Sequence, residues 1–241
     1  MEEVAEGIHR LGSSYINFYL VEESEKITIV DSGLPAYWEQ IPQALSALGR
    51  SMADVDAVLL THSHADHIGT AAKLANEDAI RILIHSADVD SAARAERVSS
   101  LRLVPFAWRL WFTNYSLHLL RSGATKAPPL QDPAIFGDGE RLDVPGRPRV
   151  IHLPGHTAGS SALFFEQRGT LFSGDALVTL DTLRGKKGPA ILTDPFSADE
   201  DRARESLGRL ERIEAGVMLP GHGEPWRGGV AEAVRLARQK G

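Results

Sequence analysis

Short runs of apolar residues alternate along this chain with stretches of helical period. Residues 14–21 and 26–30 read as paired strands, 56–60 and 80–84 as buried strands, and 149–153, 161–165 and 170–172 as later strands. Between them, residues 35–48 carry a helical pattern with Pro35 near the first turn, and 66–76 carry another. Residues 198–213 read as a helix with Ser197 as N-cap and Glu200 three positions on, a capping box. Residues 229–239 close the chain as a last helix. Strands alternating with helices predict an α/β architecture.

At 241 residues the chain fits one large domain, 1–241. Its 43% hydrophobic and 24% charged content is ordinary for a soluble globular protein. The net charge of −6 offers no broad attraction for nucleic acid. Cysteine is absent, which excludes disulfides and thiolate metal ligands. The acidic start Met1-Glu2-Glu3-Val4-Ala5-Glu6 has no signal-peptide core, so a cytoplasmic location is expected.

The candidate chemistry begins where the strand 56–60 ends. Thr61-His62-Ser63-His64-Ala65-Asp66-His67 places four metal-capable side chains within six positions. Alternation at a strand end puts His62 and His64 on the same side, while Asp66 and His67 open the next segment. Such a turn can aim two ligands at one ion and two at a neighbour. Three later strand ends repeat the theme, each with glycine beside one ionisable residue: Pro154-Gly155-His156, Ser173-Gly174-Asp175 and Pro220-Gly221-His222. Imidazole and carboxylate suit zinc, with iron or manganese as alternatives. Seven candidate ligands exceed one tetrahedral ion but fit two ions sharing a carboxylate.

From the strand end Ile29-Val30-Asp31-Ser32-Gly33 to His222, these motifs in this order resemble the metallo-β-lactamase-fold hydrolases. The resemblance implies a four-layer αββα sandwich of two mixed sheets flanked by helices, with the metals in loops at one edge. It implies that His62, His64 and His156 bind one zinc ion, that Asp66, His67 and His222 bind a second, and that Asp175 bridges both. Asp31 would support the ligands from behind. Two zinc ions about 3.5–4 Å apart could share a hydroxide that attacks an ester, lactone, thioester or amide carbonyl, with Asp66 orienting it and passing its proton on.

Within the family, the chain is similar to the glyoxalase II and lactonase-like branch. Only residues 223–241 follow His222, too few for the glutathione-binding C-terminal domain of glyoxalase II. Similar lactonases often carry tyrosine three positions beyond the bridging aspartate, where this chain has Val178. The β-lactamases proper use a cysteine ligand or lack that aspartate, so antibiotic hydrolysis is not expected. A carboxylic-ester, lactone or thioester hydrolase acting on a small molecule is the preferred reading. The rival is a mononuclear non-haem iron persulfide dioxygenase, which would leave the second site empty.

Residues 86–133 form an insertion whose middle, 101–120, holds Phe106, Trp108, Trp111, Phe112 and Tyr115. Arg102, Arg109, Asn114 and His118 interrupt it and exclude a transmembrane helix. A helical lid or pocket wall is preferred, with Trp108 and Trp111 as substrate contacts. A homodimer contact and a membrane-touching surface are the alternatives. Arg184, Lys186 and Lys187 read as a solvated basic turn, or else as an anchor for an acidic substrate group. The histidines outside the motifs, His9, His85, His118 and His152, read as structural or surface residues, with His85 the exception that could support the ligands from behind.

Overall fold

The computed structural model describes residues 1–94 and 103–239, so Arg102 and the start of the 101–120 segment lie outside the described residues. Strands β1 (Glu2–Ala5), β2 (Ile8–Gly12), β3 (Asn17–Glu23), β4 (Lys26–Val30), β5 (Val55–Leu59), β6 (Arg81–His85) and β7 (Ala134–Phe136) lie side by side in chain order as a seven-stranded sheet. Pairing is antiparallel through β4 and parallel from β4 to β7. Strands β8 (Arg149–His152), β9 (Ser161–Phe165) and β10 (Thr170–Gly174) belong to a second sheet. The hairpin of β11 (Val178–Asp181) and β12 (Lys186–Ala190) follows, and β13 (Val217–Pro220) completes that second sheet in the order β13-β10-β9-β8.

Period-two alternation sorts the apolar residues into three layers. In the first sheet, Phe18, Leu20, Ile27, Ile29, Val58, Ile82 and Ile84 face outward, onto helices α1 (Gln40–Ala47), α2 (Ala65–Ile68), α3 (Ala71–Asp78) and α4 (Val89–Arg94). Their sequence neighbours Tyr19, Val21, Val30, Leu59 and Leu83 face inward, against Val150, Leu163, Phe165, Phe172 and Leu219 of the second sheet. The other face of that sheet, with Ile151, Phe164, Leu171 and Met218, is covered by later helices. Because both faces of each sheet are buried, the strands read as continuous apolar runs. The result is the expected αββα sandwich.

Helix α5 (Leu110–Arg121) lies in the insertion, and α6 (Glu200–Ser206) and α7 (Val230–Gln239) cover the second sheet. Among the described residues no helix is long and apolar enough to cross a membrane.

Three expected helices differ, each for a local reason. The 35–48 helix is a 3₁₀ turn, Pro35–Tyr37, followed by α1. Pro42 has no N–H to donate, so the helix starts close before it, in the turn whose donors have no intrahelical partner anyway. The 66–76 helix breaks at Gly69, where a Cβ would lie 2.5 Å from the Gly33 carbonyl and 2.6 Å from the Pro35 ring. The N-cap of α6 is Asp199 rather than Ser197: its side chain accepts from Arg202 N–H at 2.9 Å. Ser197 is instead buried, and its hydroxyl donates to the Leu192 carbonyl.

Candidate metal centre

Strands β4, β5 and β6 run parallel, as do β8, β10 and β13 within their sheet, since β8 and β10 both oppose β9. Asp31, the 61–67 turn, His156, Asp175 and His222 each follow the carboxyl end of one of these strands. The two sheets are stitched together at this edge. Ser161 N–H donates to the Thr61 carbonyl at 2.9 Å, Asn17 N–H to Gly221 at 2.8 Å, and the Tyr19 hydroxyl to Pro220 at 2.7 Å. All seven expected ligands therefore meet at one point.

They meet as three overlapping groups: His62 with His64 and His156, His62 with His67 and Asp175, and Asp66 with His67 and His222, with ligand atoms within 4.8 Å in each. His156 Nε2 lies 2.9 Å from His64 Nδ1 and 3.3 Å from His62 Nε2. Asp175 Oδ2 sits 3.0 Å from His222 Nε2, 3.5 Å from His156 Nε2 and 3.9 Å from His62 Nε2, and its Oδ1 is 3.5 Å from His67 Nε2. Asp66 Oδ2 is 3.5 Å from His222 Nε2.

Behind the ligands, hydrogen bonds assign the imidazole tautomers. His67 Nδ1–H donates to Asp31 Oδ2 at 2.8 Å, and His222 Nδ1–H to the Tyr15 carbonyl at 2.6 Å. The Thr61 hydroxyl spends its proton on Asp31, so its oxygen accepts from His62 Nδ1–H at 3.1 Å. Ser197, its own proton given to Leu192, accepts from His156 Nδ1–H at 3.4 Å. Four histidines thus turn Nε2 inward. Asp31 does this from a left-handed backbone, φ 58°, a conformation aspartate tolerates better than most residues and one that concentrates at functional sites.

The electrostatics divide the site in two. Burial, aided by neighbouring histidines, pushes His62 and His156 well below the ordinary histidine range, and burial also lowers His64, so this half offers neutral donors. Burial opposes charge at His67 and His222 as well, but there Asp175 and its neighbouring carboxylates win and raise both. Burial likewise disfavours the charged form of Asp175, yet His222 and His67 hold it well below the usual carboxylate range. His67 Nε2 and Asp175 Oδ1 are buried without a hydrogen-bond partner. The neutral nitrogens of His62, His64 and His156 facing one another, beside an orphaned carboxylate oxygen, are a donor set that a cation satisfies. The residues fit a metal.

One residue escaped the sequence reading, and one glycine that it singled out is held more tightly than expected. Asp88 is buried and accepts from Ser63 N–H at 3.0 Å, the Thr157 hydroxyl at 2.7 Å and Gly159 N–H at 2.6 Å, tying the His62–His64 turn to the His156 turn. A lone aspartate after a strand carries no periodic signal that would have revealed this. Gly221 has φ outside the left-handed region but no room: a Cβ would lie 2.2 Å from Asp175 Oδ1 and 2.6 Å from His67 Cε1. Gly221→Ala, which changes no donor, is therefore expected to weaken metal binding by roughly 10–100-fold, the scale seen for changes behind the ligands. A chelator titration checks this, and unaltered affinity would mean that the two donors can shift freely.

The centre opens into a cavity of about 430 Å³ with His64, Asp66, His156, Asp175 and His222 at its floor. Phe112, Tyr115, Ser116 and Leu119 of α5 line it at helical spacing, opposite Leu192 and Phe196. Burial first, then Asp66 and Asp175, hold the Tyr115 phenol well above its usual range and so protonated. The insertion does wall the pocket, but Trp108 and Trp111 do not line it. Trp111 is one position, about 100°, off the lining stripe; it packs on Gly185 and edge-on to Tyr15, ring centroids 5.5 Å apart. Trp108 precedes the helix and is 75% exposed. Arg184 pairs with Asp181 at 3.0 Å, away from the cavity. His85 stacks on His152, centroids 4.0 Å apart, and contributes nothing to the donor groups.

Comparison with known proteins places this geometry. A probable metallo-hydrolase of Bacillus subtilis, YflN, is 28% identical over 94% of this chain and 87% of its own length. Human acyl-coenzyme A thioesterase MBLAC2 is 26% identical over 86% of this chain and 72% of its own. The structure of TTHA1623 in a di-iron-bound form superposes with a TM-score of 0.64 at 28% identity, covering 95% of this chain and 97% of that one. Residues 11–222 match the family model of the metallo-beta-lactamase superfamily, and the chain belongs to that superfamily.

Proposed function

We propose that this chain is a dinuclear metallohydrolase, with zinc as its resident metal, that cleaves a carboxylic thioester, ester or lactone bearing an apolar acyl group. The observation that carries the reading is Asp175: its Oδ2 faces His62, His156 and His222, while its Oδ1, left without a hydrogen-bond partner, faces His67, so the carboxylate spans both sets of histidines. His62, His64 and His156 would hold one ion, Asp66, His67 and His222 the other, and Asp175 both. When bound, the ions supply an activated water and Lewis-acid polarisation of a carbonyl. The protein supplies the rest. Asp66 lines the cavity with a side chain 16% exposed, against 3% for Asp175, so it is the carboxylate placed to take up and return a proton. Phe112, Leu119, Leu192 and Phe196 would seat the acyl group and keep bulk water from the floor.

The thioester member of that substrate class gains support from MBLAC2, and two ions from the di-iron form of TTHA1623. The complete second group of Asp66, His67 and His222 weighs against a mononuclear iron dioxygenase. Metal analysis of protein purified from medium containing zinc, iron and manganese, followed by assays on acetyl- and decanoyl-coenzyme A, tests the reading. Two zinc ions per chain with preference for the decanoyl thioester is expected. One iron per chain, with oxygen consumed on a persulfide and no thioester cleaved, would overturn it.

A further inference from the structure

From Arg97 to Gln131 the sequence contains no aspartate or glutamate, in a chain that has 32 of them in 241 residues. The same stretch holds five of the seven large apolar side chains exposed among the described residues: Val104 at 63%, Trp108 at 75%, Leu110 at 83%, Leu117 at 42% and Leu120 at 58%. Helix α5 turns one stripe to the pocket. The outward positions Leu110, Leu117 and Leu120, where a surface helix would carry polar residues, are apolar too. Basic groups accompany them. Arg109 stacks on the Trp108 ring at 5.1 Å, Arg121 is exposed at the last position of the helix, and Lys126 is exposed beyond it. Val104 and Leu120 both line the cavity and face solvent, so the apolar surface runs over the rim into the pocket.

We propose that this face of the insertion docks on an anionic lipid surface, with Trp108, Leu110 and Leu117 entering the interface and Arg109, Arg121 and Lys126 meeting the headgroups. Exposed tryptophan and leucine combined with basic residues and no acidic ones is the composition of segments that lie in a membrane interface. A second copy of the chain fits the face less well. A two-fold contact would set Arg109, Arg121 and Lys126 against their own copies and bury like charges together. Continuity between rim and cavity gives docking a consequence: an acyl chain held in the lipid surface reaches the cavity without crossing water.

Co-sedimentation of the full chain with vesicles tests the proposal. The protein is expected to pellet with phosphatidylcholine vesicles containing phosphatidylglycerol, to stay in solution with phosphatidylcholine alone, and to be released by high salt. Leu110→Ser combined with Leu117→Ser should weaken binding at least about tenfold, since each removes a buried leucine's worth of apolar surface. Neither residue lines the cavity, so cleavage of acetyl-coenzyme A should be unchanged. Arg121→Glu and Lys126→Glu should each weaken binding about fivefold or more. The proposal fails if the parent protein pellets with neither vesicle, or if the leucine variants bind as the parent does. It also fails if the parent is a dimer that the leucine variants convert to monomer on a sizing column with no lipid bound.

Discussion

Asp175→Ala is expected to release both metal ions at once, lowering the content from two per chain to below one and abolishing hydrolysis with it. The carboxylate is buried, and it stands 3.0 Å from His222 and 3.5 Å from both His156 and His67. Its two oxygens reach histidines of both proposed sites, His62 and His156 on one side and His67 and His222 on the other, all within 3.9 Å. Without it the donor set falls from two negative charges to one, while two divalent ions would still have to sit side by side. In the proposed arrangement each ion also loses a ligand, so neither site can compensate for the other. The loss should exceed the roughly 10–100-fold typical of a partner behind the ligands. Metal content after gel filtration, with circular dichroism to show that the sandwich persists, checks the expectation. Two ions retained in a folded variant would rule out the bridging role proposed for Asp175 and leave two independent sites.

That residue illustrates why the centre was readable in the sequence. Each candidate ligand follows a strand, and the strands announce themselves because the sandwich buries both of their faces: Phe18 and Tyr19, or Leu171 and Phe172, point opposite ways into different apolar layers. A strand end followed by glycine and a histidine or aspartate is then a local signal. What could not be read depends on contacts distant in the chain. The break at Gly69 is set by the turn at Gly33, 36 positions earlier, which leaves no space for a side chain. The tautomer of His222 is held by a backbone carbonyl at Tyr15, and backbone atoms have no sequence signature. Asp88 acts by joining two turns that only the folded chain brings together. The tryptophans mark the limit of composition. They identified the insertion as the segment beside the site, but a single step of helix rotation puts Phe112 in the cavity and Trp111 against Gly185.

Asp66→Asn should separate catalysis from metal retention. Asp66 sits in the first turn of α2, directly after the ligand turn, with Oδ2 3.5 Å from His222 Nε2. Like Asp175 it borders the cavity, but it is the more exposed of the two, 16% against 3%, so a substrate or its water can reach its second carboxylate oxygen. Asparagine keeps the size of the side chain and one oxygen for a metal, but it cannot accept and return a proton. If Asp66 only held metal, the variant would lose ions and activity in proportion. If it also moves a proton, kcat should fall by roughly 10²–10⁴-fold, the scale of losing a general base, while most of the metal stays bound. The loss should fall on kcat rather than KM, because the apolar wall that seats the acyl group is untouched. It should also be the same for acetyl and decanoyl thioesters, whereas a change in the α5 wall, such as Leu119→Ala, would act on the longer one. Full turnover with both ions in place would assign Asp66 to metal binding alone, and the proton would then have to leave through another group.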